Sequence, residues 1–219
     1  MSFANQFNLL RQRRFGPYFW TQFLGAANDN LFKFALTVLV TYQLQVIWLP
    51  ASVAGLVIGA LFILPFVLFS ATSGQLADRL EKARLIRLLK WLEVIIMALA
   101  AWAFWRANVI TLLSCIFLLG LHSTLFGPVK YAYLPQHLED HELTGGNGMV
   151  EMGTFVAILL GNLAGGLLIA IETTGTLWVA GVCVFLALGG AAGFQGCACN
   201  ACNGSTSKNR LESIYRNPA

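Results

Sequence analysis

Charge is what this sequence has least of. Of its 219 residues, 11% are Asp, Glu, Lys or Arg and 57% are hydrophobic, whereas about a quarter of a soluble globular domain is charged. That scarcity excludes an ordinary water-soluble domain. The long uncharged stretches also lack the apolar–polar alternation of a membrane β-barrel wall. The first of them is too long, too polar inside and too poor in A-x-A character to read as a cleaved signal peptide.

What is present is a set of six apolar segments, roughly 18–43, 53–76, 86–106, 109–128, 149–171 and 176–194. About 20 such residues cross the hydrocarbon core as a helix, the element that pairs all of its own backbone groups in lipid. The expectation is an all-α membrane protein with six transmembrane helices. It divides into a cytoplasmic N-terminal segment over 1–17, a transmembrane domain over 18–194 and a tail over 195–219.

The few charges are sorted by side. Arg11, Arg13 and Arg14 precede the first segment, and Lys130 follows the fourth. Asp78, Arg79, Glu81, Lys82, Arg84, Arg87 and Lys90 cluster between the second and third, where they are expected in water or at headgroups. The opposite side holds only Arg106 and Glu172. The positive-inside rule then places both termini in the cytoplasm. The net charge of +4 reflects this bias, so no nucleic-acid partner is expected. Trp20, Trp48, Trp102 and Trp105 stand at segment ends as interfacial anchors.

Within the first segment lie Asn28, Asp29, Asn30 and Lys33. Charge is costly inside a membrane and is retained for a purpose. Asp29 and Lys33, four residues apart, share a helix face and can neutralise each other. Two alternatives stand: a structural ion pair, or the lining of a central cavity that meets a polar substrate group. Gln22, Gly25 and Ala26 lie on much the same stripe.

Small residues recur at four-residue spacing in the second segment (Ala51, Gly55, Gly59) and the fifth (Gly153, Ala157, Gly161, Gly165). Such stripes let helix backbones approach closely in lipid, and the partner expected for them is a second six-helix half. Pro128 is expected to kink or stop the fourth segment, leaving Lys130 at the cytoplasmic edge. A polar loop with a glycine hinge at Gly145, Gly146 and Gly148 is expected next. Of Glu151 and Asn162 in the fifth segment, Asn162 is the deeper and the expected cavity residue.

Gly74–Arg84, GQLADRLEKAR, resembles the signature loop between helices 2 and 3 of the major facilitator superfamily. Gly74, Leu76, Ala77, Asp78, Arg79 and Lys82 match that pattern, and Glu81 replaces its second glycine. The resemblance implies one half of a major facilitator fold, with Gly74, Asp78, Arg79, Lys82 and Lys130 as gating residues. Four blocks, Phe23–Lys33, Ser73–Arg84, Leu125–Leu138 and Gly145–Gly166, are similar to the bacterial lysophospholipid transporters. These move lysophospholipids inward across the inner membrane, and some are fused to an acyltransferase.

That resemblance implies an N-terminal half with a lysophospholipid or similar amphiphile as substrate, membrane lipid around it and the C-terminal six-helix half as missing partner. Asp29 falls on the family's headgroup acid, and Asn30, Lys33 and Asn162 join it as candidate substrate-binding residues. The acyltransferase signature H-x-x-x-x-D is absent from these residues, so the chain is not expected to be an enzyme. No cofactor and no metal is expected. The alternative is a truncated, non-functional fragment of a transporter–acyltransferase fusion.

The tail from about 195 changes character, with Cys197, Cys199 and Cys202 and then a polar stretch. Three thiolates without a fourth ligand make a poor metal clip. A one-base shift of a back-translation of Asn209–Pro218 yields a string similar to the family's inter-half loop, so the tail is expected to be out of frame or disordered. Cys115 and Cys183, in apolar segments, are expected to be packing residues.

Overall fold

The computed structural model describes residues 7–44 and 46–201, with Asp140 and residues 195–201 as backbone only. A 3-10 turn, Asn8–Arg11, leads into six helices: α1 (Gly16–Val38, continued by a π-helical turn over Leu39–Gln43), α2 (Ala51–Arg79), α3 (Lys82–Trp105), α4 (Val109–His137), α5 (Asp140–Ile169) and α6 (Gly175–Ala201). Five of them, all but α3, are long and apolar enough to cross a membrane. The sixth, α3, has 24 residues and keeps its mid-helix charges inside the bundle, as described below.

Neighbour relations follow from the side chains. α1 packs chiefly on α5 and α6, α2 on α4, and α3 on both α4 and α6. One apolar core joins Phe32, Leu36, Ile96, Met97, Ile116 and Cys183. A second, around Phe15, Tyr18, Ile86, Tyr133 and Phe194, closes the end where the chain begins. Cys115 and Cys183 are buried as expected, and all four named tryptophans are exposed.

The small-residue stripe of α5 packs inside this bundle, and not against a second half. β-Carbons at Gly161 and Gly165 would lie 3.2 Å from the backbone carbons of Ala27 and Leu31, and one at Gly153 would strike the Phe19 ring. The shorter stripe of α2 behaves differently. Ala51 and Gly55 are exposed, and beyond the backbone of its own helix no atom of the described residues lies within 4 Å of where a Gly59 β-carbon would be.

Three expected loops are helix. Pro128 does not stop the fourth segment, for α4 runs through Pro128 and Pro135 to His137. Its interior prolines do not end it, and close by the Tyr18 hydroxyl of α1 donates to the Lys130 carbonyl at 2.8 Å. Gly145, Gly146 and Gly148 belong to the second and third turns of α5 and form no hinge. A capping box between Glu139 and Glu142 starts that helix, and Arg14 adds a 2.8 Å ion pair to Glu142. Most of the signature loop is helical as well, with α2 ending at Arg79 and α3 starting at Lys82. α6 continues past 194 to Ala201; Cys202 and the 209–218 stretch lie outside the described residues, as do the side chains of Cys197 and Cys199.

Candidate functional site

Asp29 sits midway along α1, 7% exposed, and its Oδ2 accepts a hydrogen bond from Ser123 Oγ of α4. Its other oxygen, Oδ1, has no partner among the described residues. The Asp29–Lys33 ion pair allowed by their spacing does not form. Lys33 instead turns its ammonium over the Phe62 ring of α2, 4.6 Å from the centroid, a cation–π contact that leaves the carboxylate uncompensated by its own helix. Asn30 bonds back to the Ala26 carbonyl at 2.8 Å. Asn162 is half-buried on α5 and is hydrogen-bonded to none of these three. Asp29, Asn30 and Lys33 thus share one stretch of α1, and no hydrogen bond ties Asn162 to them.

Behind Asp29 lies a cluster that the charge pattern concealed. Lys90 belongs to neither water nor headgroups: it is 2% exposed, and its Nζ donates to Glu93 Oε2 at 2.8 Å. Glu93, fully buried, also accepts from Asn28 Nδ2 at 3.0 Å. His122 Nε2 stands 3.8 Å from Glu93 Oε2 with its ring stacked on Phe126. An acid three residues after a lysine inside an apolar run was the signal, since that spacing puts both on one helix face. A buried charge survives in such a place only when paired and hydrogen-bonded.

Toward the end where the chain begins, a second tie joins three helices. Lys130 is buried, and its Nζ reaches Glu151 Oε1 and Thr154 Oγ1, both at 3.1 Å. Tyr131 also donates to Glu151, and Gln22 donates to Thr154 at 2.6 Å. Lys130 therefore lies inside the bundle, and Glu151, set aside in favour of Asn162, carries the paired charge. The other expected gating residues are at the α2–α3 junction. Asp78 and Arg79 are exposed in the last turn of α2 and Gly74 and Lys82 are half-buried. Asp78 forms no ion pair with Arg79 or Lys82; the pair found there is Arg84–Glu81 at 3.9 Å.

A cavity of about 600 Å³ lies between α2 and α4, lined by Trp48, Leu61, Leu113 and Phe117 among others. It contains no charged residue and none of the polar cluster.

A six-helix membrane-spanning bundle with ionised side chains held in its interior is the architecture of a transport domain. The chain belongs to the major facilitator superfamily, whose family description matches residues 18–194. It is 31% identical over 147 residues to the lysophospholipid transporter LplT of Escherichia fergusonii and to that of Citrobacter koseri. With the protein of the same name from Salmonella paratyphi B the identity is 32%. Each match covers 67% of this chain and 34% of the relative, so the chain spans about a third of the length of the curated relatives it matches. No solved structure matches it.

Proposed function

We propose that this chain is the N-terminal six-helix half of a secondary transporter that moves lysophospholipids inward across the bacterial inner membrane, with both termini cytoplasmic. The observation that carries the proposal is Asp29: a carboxylate in the middle of a membrane-spanning helix, held by Ser123 through one oxygen and with the other unpaired among the described residues. Its chain is similar to proteins named lysophospholipid transporters. The free oxygen receives the donor groups of a lipid head, and Lys33, resting over the Phe62 ring face, swings to a headgroup phosphate. The single acyl tail stays against the apolar helix faces. Asn30 and Asn162 border the same path.

Alternating access needs two such halves rocking about a central site, so the partner is a second six-helix half. Gly74, Asp78, Arg79 and Lys82, with Lys130, form the cytoplasmic gate between them. No bond-making chemistry is assigned: the chain carries lipid and modifies nothing.

The test is movement of a fluorescent lysophosphatidylethanolamine across liposomes that contain the full chain together with the second half of the Escherichia fergusonii relative. Transport by the native chain and none by Asp29→Asn is the expected result. A native chain that neither binds nor moves the lipid would overturn the proposal.

A further inference from the structure

Glu93 is the most enclosed charge among the described residues, and its two oxygens have different tasks. Oε2 accepts from Lys90 within α3, at 2.8 Å, and Oε1 accepts across the helix interface from Asn28 of α1, at 3.0 Å. Asn28 immediately precedes Asp29. We infer that Glu93 is a positioning residue: neutralised by Lys90, it holds Asn28 and thereby sets the rotation of α1 that presents Asp29 to its ligand.

The packing around the pair supports this role. A β-carbon at Gly25 would stand 2.5 Å from Lys90 Nζ, so α1 is notched to admit the ammonium. The Phe126 ring lies 5.1 Å from the same nitrogen, and a β-carbon at Gly190 of α6 would lie 3.8 Å from it. Lys90 and Glu93 would neutralise each other without Asn28, so the bond to α1 is an addition that charge balance does not require. Successive helix residues are about 100° apart. A turn of α1 that releases Asn28 from Glu93 therefore swings Asp29 by the same angle and pulls it away from Ser123.

The lipid-binding part of the test rests on the proposed function; a second readout does not. Two double variants of the full chain, Lys90→Met/Glu93→Gln and Lys90→Met/Glu93→Leu, both remove the ion pair, a replacement that buried pairs commonly tolerate. Gln keeps an oxygen acceptor for Asn28, and Leu does not. Three quantities are measured in detergent: thermal melting, affinity for a fluorescent lysophosphatidylethanolamine, and the rate at which a hydrophobic carbodiimide modifies Asp29, read by mass spectrometry.

The Gln variant is expected to match the native chain in affinity and labelling. The Leu variant is expected to bind about tenfold more weakly, the equivalent of one lost hydrogen bond, with an altered labelling rate at Asp29. Asn28→Leu, which keeps the ion pair, should reproduce the Leu result. Equal labelling rates and affinities in the two double variants, or loss in both, would overturn the inference. If labelling follows the expected pattern while the native chain binds no lysophospholipid, positioning stands and the lipid assignment falls.

Discussion

Gly161 of α5 lies directly on the backbone of Ala27 of α1, with a would-be β-carbon 3.2 Å from the Ala27 carbonyl carbon. Neither main chain can yield easily, because each is part of a long helix. Gly161→Val is therefore expected to destabilise the bundle by about 1–3 kcal/mol, the usual cost of overpacking. Gly59→Ala, at a site where no atom of the described residues beyond its own helix's backbone lies within 4 Å, should leave stability unchanged. Melting of the two purified variants makes the comparison, and equal melting temperatures would refute the packing assignment.

Lys90→Met alone leaves Glu93 fully buried and without its cation. Breaking a buried pair in this way costs about 3–5 kcal/mol, whereas removing both partners is far milder. The single variant should accumulate poorly in membranes and Lys90→Met/Glu93→Leu much better. Western blots of membrane fractions decide it. The same yield from both would mean that the pair is not a unit.

Asp29→Asn keeps the shape of the side chain and its contact with Ser123 while removing the charge. Because Asp29 has no ion pair with Lys33, no buried cation is stranded on its own helix. Expression near the native level with loss of lysophospholipid movement is expected. A degraded Asp29→Asn protein would instead assign Asp29 to packing.

Orientation is checked at two exposed or half-exposed positions. Glu172 lies in the turn between α5 and α6, and Lys82 begins α3. In a background with the native cysteines replaced, Glu172→Cys should react with an impermeant maleimide added outside intact cells. Lys82→Cys should react only after the cells are opened. The reverse pattern would invert the topology.

Asp78 stands in the last turn of α2, where the helix dipole disfavours an acid. It has no ion-pair partner among the described residues, so no pairing there explains it. Asp78→Asn should insert and melt like the native chain, yet impair lipid movement when joined to a second half. Unimpaired movement would remove Asp78 from the gate.

The six spanning segments were legible because lipid leaves helices little alternative, and 20-residue apolar runs are hard to mistake. Helix ends were not. Pro128, Gly145 and the signature motif each carry residues that break helices in water, yet α4 runs on through Pro128, the local Glu139–Glu142 box starts α5 before Gly145, and α2 stays helical to Arg79. Lys90 was misplaced because it ends a run of seven charges, and only its neighbour Glu93 betrays that it faces inward. Ser123 and Asn28 carried no sequence signal as partners. A hydrogen bond between helices distant in the chain leaves no local periodicity.

The glycine stripe of α5 has a consequence for how the helix finds its place. Small residues every four positions offer α1 nearly the same shallow groove at each turn, so closeness alone does not distinguish one axial register from another shifted by about 5.4 Å. The Gln22–Thr154 bond breaks that degeneracy. Thr154 is a single hydroxyl beside the stripe, also engaged by Lys130 of α4, and a one-turn slip of α1 would strand the Gln22 amide in an apolar interior. The glycines decide how near the two helices come, and one threonine decides where along each other they stop.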